Sequence, residues 1–386
     1  MPSNIAECSG GEYSTELRRV RLEIDLGAIR RNFRRIADFV QPAKAIAILK
    51  ANAYGLGVKP IAETLKKAGA AGFGAAELHE ALELADLGLP VQILGNLLPE
   101  EVDTAIACGI EISVSDISMC RLLSERAAAA GKTVKCHIAV DSGMGRLGCN
   151  ISEAAEFAEA AKKLPGLDIT GIFSHFPQAY IQNDRFTLAQ VEKMKNLVES
   201  LAAGGISFPK VHMAASDGIS NYPMCSRPPF TQVRAGLNLY GYYDDQVHHA
   251  MELEPVAALK TSLAAVRTIP AGSTVGYGRT HRLPVDTKVG IVAAGYADGL
   301  PLALSNRGYL LVRGVLCPVL GRISMDYTCI SLEHVPDAQW GDEVVCFGTQ
   351  QGKAIPINDW AGLKGTHVYD ILCSVGSRVK RCYFDS

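Results

Sequence analysis

Residues 45–57 read AIAILKANAYGLG. An apolar run ends in Lys50, and Asn52, Tyr54, Gly55 and Gly57 follow. A lysine at a strand end ordinarily reaches water while its stem covers apolar surface. An amine held in a partly apolar site instead has a lowered pKa and becomes a nucleophile or base. The other chemistry-bearing residues favour the second reading. Arg146 lies in DSGMGRLG, His175 closes the run ITGIFSH, His212 lies in KVHMAAS, which ends in Ser216, and Arg234 lies in TQVRAGLNLYG. Polar groups therefore recur at the same end of successive β-rich runs. SDG (216–218) and RAGLN (234–238) are glycine-bearing turns of the kind whose backbone N–H groups hold phosphate at a helix start. A lysine together with a phosphate site points to an aldehyde cofactor with a phosphate handle. That cofactor is pyridoxal 5'-phosphate, carried as a Schiff base on the lysine.

Such residues need a scaffold that brings strand ends together. VRLEIDL (20–26) alternates like a strand, and GAIRRNFRRIADFV follows with helical spacing. From residue 43 short β-rich runs alternate with amphipathic segments such as KPIAETLKKAG and SMCRLLSERAAAAG. The eight strand candidates are 43–50, 72–77, 91–96, 111–116, 135–141, 169–176, 210–216 and 231–241. This rhythm predicts an α/β fold, read as a (β/α)8 TIM-like barrel, with an open doubly wound sheet as the rival. In such a barrel the active site lies at the C-terminal ends of the strands, where the polar residues above fall. After residue 252 helical spacing almost vanishes, and strands separated by Gly, Pro and Asp turns predict an all-β domain. The expected organisation is a flexible tail at 1–18, a barrel over 19–252 and a β domain over 253–386. The strand at 20–26 is a candidate member of that β domain.

Bulk properties narrow the function classes. Of the 386 residues 48% are hydrophobic, enough for a large core, and the formal charge of −2 suggests neither a nucleic-acid nor a membrane-surface partner. The 11 cysteines form no C-x-x-C pair, which argues against zinc ribbons and thioredoxin-like sites. HH (248–249) has no third ligand at clear spacing, so no metal is expected, and His137 matches no motif. The N-terminal residues lack a basic start followed by an apolar run, and no apolar stretch reaches membrane-span length. A cytoplasmic protein with reduced thiols is expected.

The chain also resembles a known family. AILKANAYGLG is similar to the cofactor-lysine motif of the alanine racemases. DSGMGRLG, RAGLNLYG, GYGRT, GYADG and GRISMD resemble further motifs of that family in the same order, from about residue 20 to the C-terminus. The resemblance implies an isomerase interconverting L- and D-alanine with pyridoxal phosphate, working as a homodimer with shared active sites. Such an enzyme supplies D-alanine for the bacterial cell wall. It implies that Lys50 carries the cofactor and is one catalytic base, and that Tyr277, from the partner subunit, is the opposite base. Racemisation needs a group on each face of Cα, one to take the proton and one to return it. An ordinary phenol has a pKa of about 10, so Tyr277 needs neighbours that favour its phenolate, and His175 resembles the residue that orients it. Arg234 resembles the partner of the pyridine nitrogen and His212 the residue that hydrogen-bonds this arginine. Tyr54, Ser216 and the backbone of Gly236 and Leu237 resemble phosphate ligands. Arg146 resembles the arginine near the cofactor hydroxyl and substrate carboxylate, Met325 a partner-subunit residue whose backbone meets that carboxylate, and Tyr296 a tyrosine at the mouth of the site.

Three positions depart from the family pattern. Many relatives carry, seven residues before the motif arginine, a lysine that becomes carbamylated and braces it; here the residue is Ala139. Arg146 then needs another partner, such as a small anion, a water cluster or a carboxylate. Ala215 stands where relatives often have Asn, and Ser377 where some have a tyrosine that narrows the pocket. A pocket rejects an added methylene or hydroxyl by only about 1–3 kcal/mol. A broader racemase acting on serine, lysine or arginine is therefore the alternative. Barrel-type amino-acid decarboxylases share the two-domain plan but bring a carboxylate to the pyridine nitrogen, which Arg234 argues against. Single-barrel cofactor-binding proteins lack a second domain, whereas this chain carries Tyr277 and Met325 in one.

Overall fold

The computed structural model describes residues 19–243 and 248–386. The tail expected at 1–18 lies outside the described residues. The chain divides into two compact units. One comprises Ile24–Ala257 with His367–Cys373 and Tyr383–Ser386; the other comprises Ala258–Thr366 and Ser374–Cys382 with residues 19–23.

The first unit is a closed barrel of eight parallel strands. They are Lys44–Ile48, Phe73–Ala75, Val91–Ile93, Glu111–Val114, Val134–Asp141, Leu167–Phe173, Lys210–His212 and Gln232–Ala235. Each pairs with the next, and the eighth returns to the first through the register Arg234↔Ile46. All eight candidate strands form, most of them shorter than the run that predicts them, and the closure decides against the open sheet. The strands are buried on both faces, which explains why they read as continuous apolar runs rather than alternating ones.

Helix Leu26–Phe39 shows how the loops are tied down. Asp25 caps it, its Oδ1 accepting from Ala28 N at 3.0 Å, and Ile29, Phe33 and Ile36 form the buried stripe. On the same face Asn32 is fully buried. Its Nδ2 donates to Leu239 O (3.1 Å) and Glu254 O (2.8 Å), and its Oδ1 accepts from Glu254 N (2.8 Å). One amide thus staples the first helix to the turn after the eighth strand and to the segment leaving the barrel.

The second unit is built on a nine-stranded sheet. Its main path runs 315–318, 309–312, 343–350, 257–269, 21–25 and 380–384, with 287–292, 328–331 and 353–355 attached. The strand at Arg21–Asp25 lies in this sheet, beside Ala257–Ile269. Two short helices interrupt the C-terminal region that reads as all-β. Ile357–Lys364 buries Trp360 edge-on against Phe347 (5.3 Å). Val368–Cys373 belongs to the barrel unit. Segments of one or two turns carry too few apolar positions for a helical period to register.

Asn32→Ala would leave three buried backbone groups unpaired, at roughly 1–3 kcal/mol each before relaxation. We expect a loss of at least about 2 kcal/mol in urea unfolding. An unchanged midpoint would show that the staple is redundant.

Candidate active site

Lys50 lies just past the first strand and opens a short turn, Lys50–Tyr54. Ala51, Asn52, Ala53 and Tyr54 all have φ between 51° and 57°, a left-handed turn made of non-glycine residues. Such backbone costs on the order of 1–2 kcal/mol per residue and persists only when its surroundings over-determine it. Here the bracing is visible. Glu80 accepts from Ala51 N (2.6 Å) through one oxygen and from Ala76 N (2.7 Å) through the other. Asn52 Oδ1 accepts from Val58 N (2.8 Å), and Gly55, at φ 82°, ends the turn. The side chain of Lys50 is accessible, yet surrounding protein lowers its pKa by desolvation, and the charges of Arg146 and Arg234 lower it further against the opposing pull of Glu80. A lowered pKa raises the fraction of free amine, the form that attacks an aldehyde.

Arg234, on the eighth strand, is buried at 4% exposure with no carboxylate among its partners. Nη1 donates to His212 Nδ1 (2.7 Å). Nη2 is shared between Ser174 O (2.9 Å), Met213 O (2.8 Å) and His175 Nδ1 (3.1 Å). Phe173 lies 5.7 Å under the guanidinium and stacks on His212 at 5.0 Å. Burial lowers the arginine pKa to about 10, so it stays charged. Arginine only donates, so both imidazoles accept through Nδ1 and are neutral. Burial and then the neighbouring cations push His175 down to about 3, and His212 well below its ordinary value.

A second cluster joins Ser216, Gly236, Asn238 and Tyr54. Gly236 N donates to Ser216 Oγ (3.2 Å) and to Asn238 Oδ1 (3.1 Å). A Cβ at Gly236 would stand 2.7 Å from Tyr54 Oη and 3.4 Å from Ser216 Oγ. Asn238 Nδ2 is buried with no partner among the described residues. Hydroxyls, backbone N–H and an uncommitted amide around a space only glycine leaves open fit a phosphate. The bonds of Arg234 use Nη1 and Nη2, so its Nε–H remains to donate to a ring nitrogen. The residues present therefore fit pyridoxal phosphate.

Arg146 sits in the loop after the fifth strand, which Asp141 organises by accepting from Gly143 N and Met144 N, both at 2.8 Å, and from Gly145 N. That carboxylate is occupied by backbone and does not serve as the partner Ala139 fails to supply. Near Ala139 the polar contacts are Ser142 Oγ with Ser174 Oγ (2.7 Å) and with Gln190 Nε2 (3.1 Å).

Tyr277, Tyr296 and Met325 belong to the second unit. Tyr296 N donates to Ser324 O (3.0 Å) and Ala297 N to Met325 O (3.1 Å), so GYADG and GRISMD are one structure. Arg378 clamps it through both oxygens of Asp298 (2.7 and 2.8 Å) and through Asp326 (2.7 Å). Ser377 lines a cleft beside this pair. Tyr277 is 70% exposed.

Sequence reasoning missed Glu80, which reads as an ordinary helix-face carboxylate, and the Asp298–Arg378 pair, separated by 80 residues. It also missed Tyr369, whose ring lies 6.3 Å from that of Tyr54.

Residues 24–244 match the family model for the alanine racemase N-terminal domain and residues 256–383 the model for its C-terminal domain. The chain belongs to the alanine racemase family. An alanine racemase of Clostridium perfringens is 35% identical over 95% of this chain and 96% of its own length. The crystal structure of alanine racemase from D-cycloserine-producing Streptomyces lavendulae superposes with a TM-score of 0.89 at 33% identity, covering 96% of this chain and 98% of that one. The alanine racemase of Bartonella henselae, solved with covalently bound pyridoxal phosphate, has a TM-score of 0.85 at 28% identity over 95% of this chain and 99% of that one. This family member is accordingly an isomerase with alanine racemase activity. No described helix is long and apolar enough to cross a membrane.

The neutral histidines set a pH dependence. A histidine whose folded pKa lies below its unfolded value of about 6.5 lets the unfolded chain bind protons first. Its contribution is complete above pH 6.5 and is lost as pH falls toward the folded pKa, about 3 for His175. The slope is about 1.4 kcal/mol per pH unit for each fully neutral histidine. The carboxylates with lowered pKa values contribute fully over this range. Urea midpoints should therefore fall steadily from pH 7 to pH 5; a flat profile would contradict the neutral assignment.

Proposed function

We propose that the chain racemises alanine with pyridoxal 5'-phosphate by a two-base mechanism, Lys50 serving one face of Cα and Tyr277 of a partner subunit the other. The observation that carries this reading is the buried Arg234, neutralised by no carboxylate, beside a lysine of lowered pKa and a glycine-shaped polar cradle. When bound, pyridoxal phosphate holds the substrate amine covalently and acidifies its Cα–H by drawing the electron pair into its ring. Lys50 anchors the cofactor and afterwards takes or returns a proton at Cα through Nζ. Tyr277 Oη does the converse from the opposite face, with His175 orienting it. Arg234 donates to the pyridine nitrogen, and His212 holds Arg234. Since arginine cannot give up its proton, Arg234 would leave the pyridine nitrogen of a bound cofactor unprotonated.

Tyr54, Ser216, Gly236 and Leu237 hold the phosphate. Arg146 orients the substrate carboxylate, with the backbone of Met325 from the partner subunit, and Tyr296 limits the mouth of the site. The exposure of Tyr277 (70%), Met325 (52%) and Tyr296 (43%) supports a homodimer, because three residues assigned to the site are left uncovered by their own unit. The proposed functional division is a barrel over 19–252, whose first strand at 20–26 joins the β domain, and a β domain over 253–386. A cytoplasmic enzyme feeding D-alanine to cell-wall synthesis is the setting this activity suits.

α-Proton exchange in D2O with added cofactor, followed by chirality at each time point, tests the reading across alanine, serine, lysine, arginine and glutamate. Alanine should exchange and racemise at least about tenfold faster than the rest, the scale of one pocket contact. Equal rates on serine or the basic amino acids would instead assign Ala139, Ala215 and Ser377 to a widened pocket. Lys50→Ala should abolish exchange, and Tyr277→Phe should slow racemisation in both directions while leaving α-proton exchange of one enantiomer faster than that of the other. Separately, Gly236→Ala should weaken cofactor binding about tenfold or more, because its Cβ crowds Tyr54 Oη. Titration of the cofactor-free protein reads this, and an unchanged affinity would move the phosphate elsewhere.

A further inference from the structure

A second polar group lies inside the barrel, below Arg234 and His212, and the reading above does not use it. Glu111 on the fourth strand, His137 on the fifth and Lys210 on the seventh converge there. Glu111 is 3% and His137 1% exposed. Lys210 Nζ donates to both oxygens of Glu111 (2.6 and 2.5 Å), and His137 Nε2 contacts Glu111 Oε2 at 2.9 Å. A carboxylate held by an ammonium is an acceptor, so His137 Nε2 carries the proton and Nδ1 presents its lone pair. His212 is the mirror case. Its Nδ1 accepts from Arg234, so Nε2 carries the proton.

Neither His137 Nδ1 nor His212 Nε2 has a partner among the described residues, and both are buried. One is a free acceptor and the other a free donor. Their ring centroids are 5.8 Å apart. Gly171 shows which way the His137 ring leans. It pairs with His137 on one side and with Lys210 on the other, and a Cβ there would stand 2.3 Å from His137 Nδ1. The ring therefore occupies the side-chain space of the sixth strand and reaches toward the seventh, where His212 stands two residues beyond Lys210 on the same face. The rings are tilted by 58°, and a buried donor and a buried acceptor on neighbouring rings are groups that one water can bridge.

We propose that one water, bound between His137 Nδ1 and His212 Nε2, joins Lys210–Glu111–His137 to His212–Arg234, and that Glu111 and His137 are positioning residues for Arg234. Each hydrogen bond in the chain fixes the direction of the next. Glu111 fixes the tautomer of His137, the water passes that direction on, and His212 is held with Nδ1 free to accept from Arg234. With the other tautomer of His212, an N–H would face a guanidinium that can only donate, and Arg234 would shift. The inference rests on the reading that Arg234 meets the pyridine nitrogen.

The native holoenzyme is measured first, then His137→Phe, Glu111→Leu and Glu111→Gln, each for alanine kcat and KM, for the visible absorption band of the bound cofactor and for Tm. If the native protein fails to racemise alanine, the functional reading itself fails. If it racemises alanine, H137F and E111L should lose about tenfold to a hundredfold in kcat, with KM nearly unchanged and the absorption band moved. E111Q should recover rate relative to E111L, because its amide oxygen still accepts from His137. If H137F and E111L keep native kcat and spectrum while only Tm falls, the group is a buried ion pair with no positioning role and the inference is overturned. Should those variants not fold, electron density of the native holoenzyme at high resolution decides. A water within hydrogen-bond distance of both nitrogens supports the inference, and empty density between the rings overturns it.

Discussion

The constraint on which the barrel unit depends is the burial of Arg234 without a counter-charge. Removing a guanidinium from water is costly unless its N–H groups find partners. The chain supplies them from the ends of two neighbouring strands. Carbonyls of Ser174 and Met213 come from the ends of the sixth and seventh, and imidazole nitrogens from His175 and His212. None of these partners cancels the charge. The uncompensated cation then acts on its surroundings, helping to keep His175 neutral and, with Arg146, lowering the pKa of Lys50. A carboxylate in the place of His212 would have made a more stable pair and raised the lysine pKa. The mouth of the barrel is thus electropositive by construction, which suits a phosphate and a substrate carboxylate arriving together.

The turn after Lys50 answers a second demand. A lysine that only closed a strand could continue into an ordinary right-handed helix. Here four non-glycine residues take left-handed backbone, and Glu80 and Asn52 hold them there through hydrogen bonds. Strain kept at such a position fixes where the backbone of Lys50 and Tyr54 lies, at the expense of overall stability. Glu80 also has an electrostatic effect, opposing the pKa depression of Lys50. The same carboxylate therefore shapes the turn and moderates the amine it presents.

How much of this was legible follows from the range of the interactions. The eight strands could be read because each is a local apolar run bounded by turn residues. Lys50, Arg234, His212 and Ser216 stood out because a polar residue at the end of such a run is conspicuous, and the ordered motifs then gave each a role. Glu80 was invisible, since the backbone N–H groups that donate to it lie 29 and 4 residues away and the local segment HEALELADLG looks like any solvated helix. Glu111, His137 and Lys210 are spread over 99 residues and meet only when the barrel closes. His137 matched no motif. Helix Val368–Cys373 has six residues, too few for periodicity, and its place with the barrel unit follows from tertiary packing alone. The departure at Ala139 was legible as an absence, but its consequence was not. Asp141, the nearby carboxylate, turned out to be committed to the backbone of its own loop.

The polar core under the site also explains a feature of the barrel that packing alone would not produce. A purely apolar interior would be easier to assemble, since replacing a buried ion pair by well-packed apolar residues is often neutral or stabilising. This chain instead keeps Glu111 ionised. Burial pushes its carboxyl up, but the hydrogen bonds from His137 and Lys210 and the charge of Lys210 outweigh that and hold it well below its ordinary value. His137 remains neutral, because burial lowers its pKa more than Glu111 raises it. The buried positive charge of Arg234 and the buried negative charge of Glu111 are thus separated by two neutral imidazoles. Direct contact would neutralise the arginine and remove its effect on Lys50. The separation keeps the cation unquenched at the barrel mouth while letting the interior satisfy its hydrogen bonds, and glycine at position 171 is the space that makes the arrangement fit.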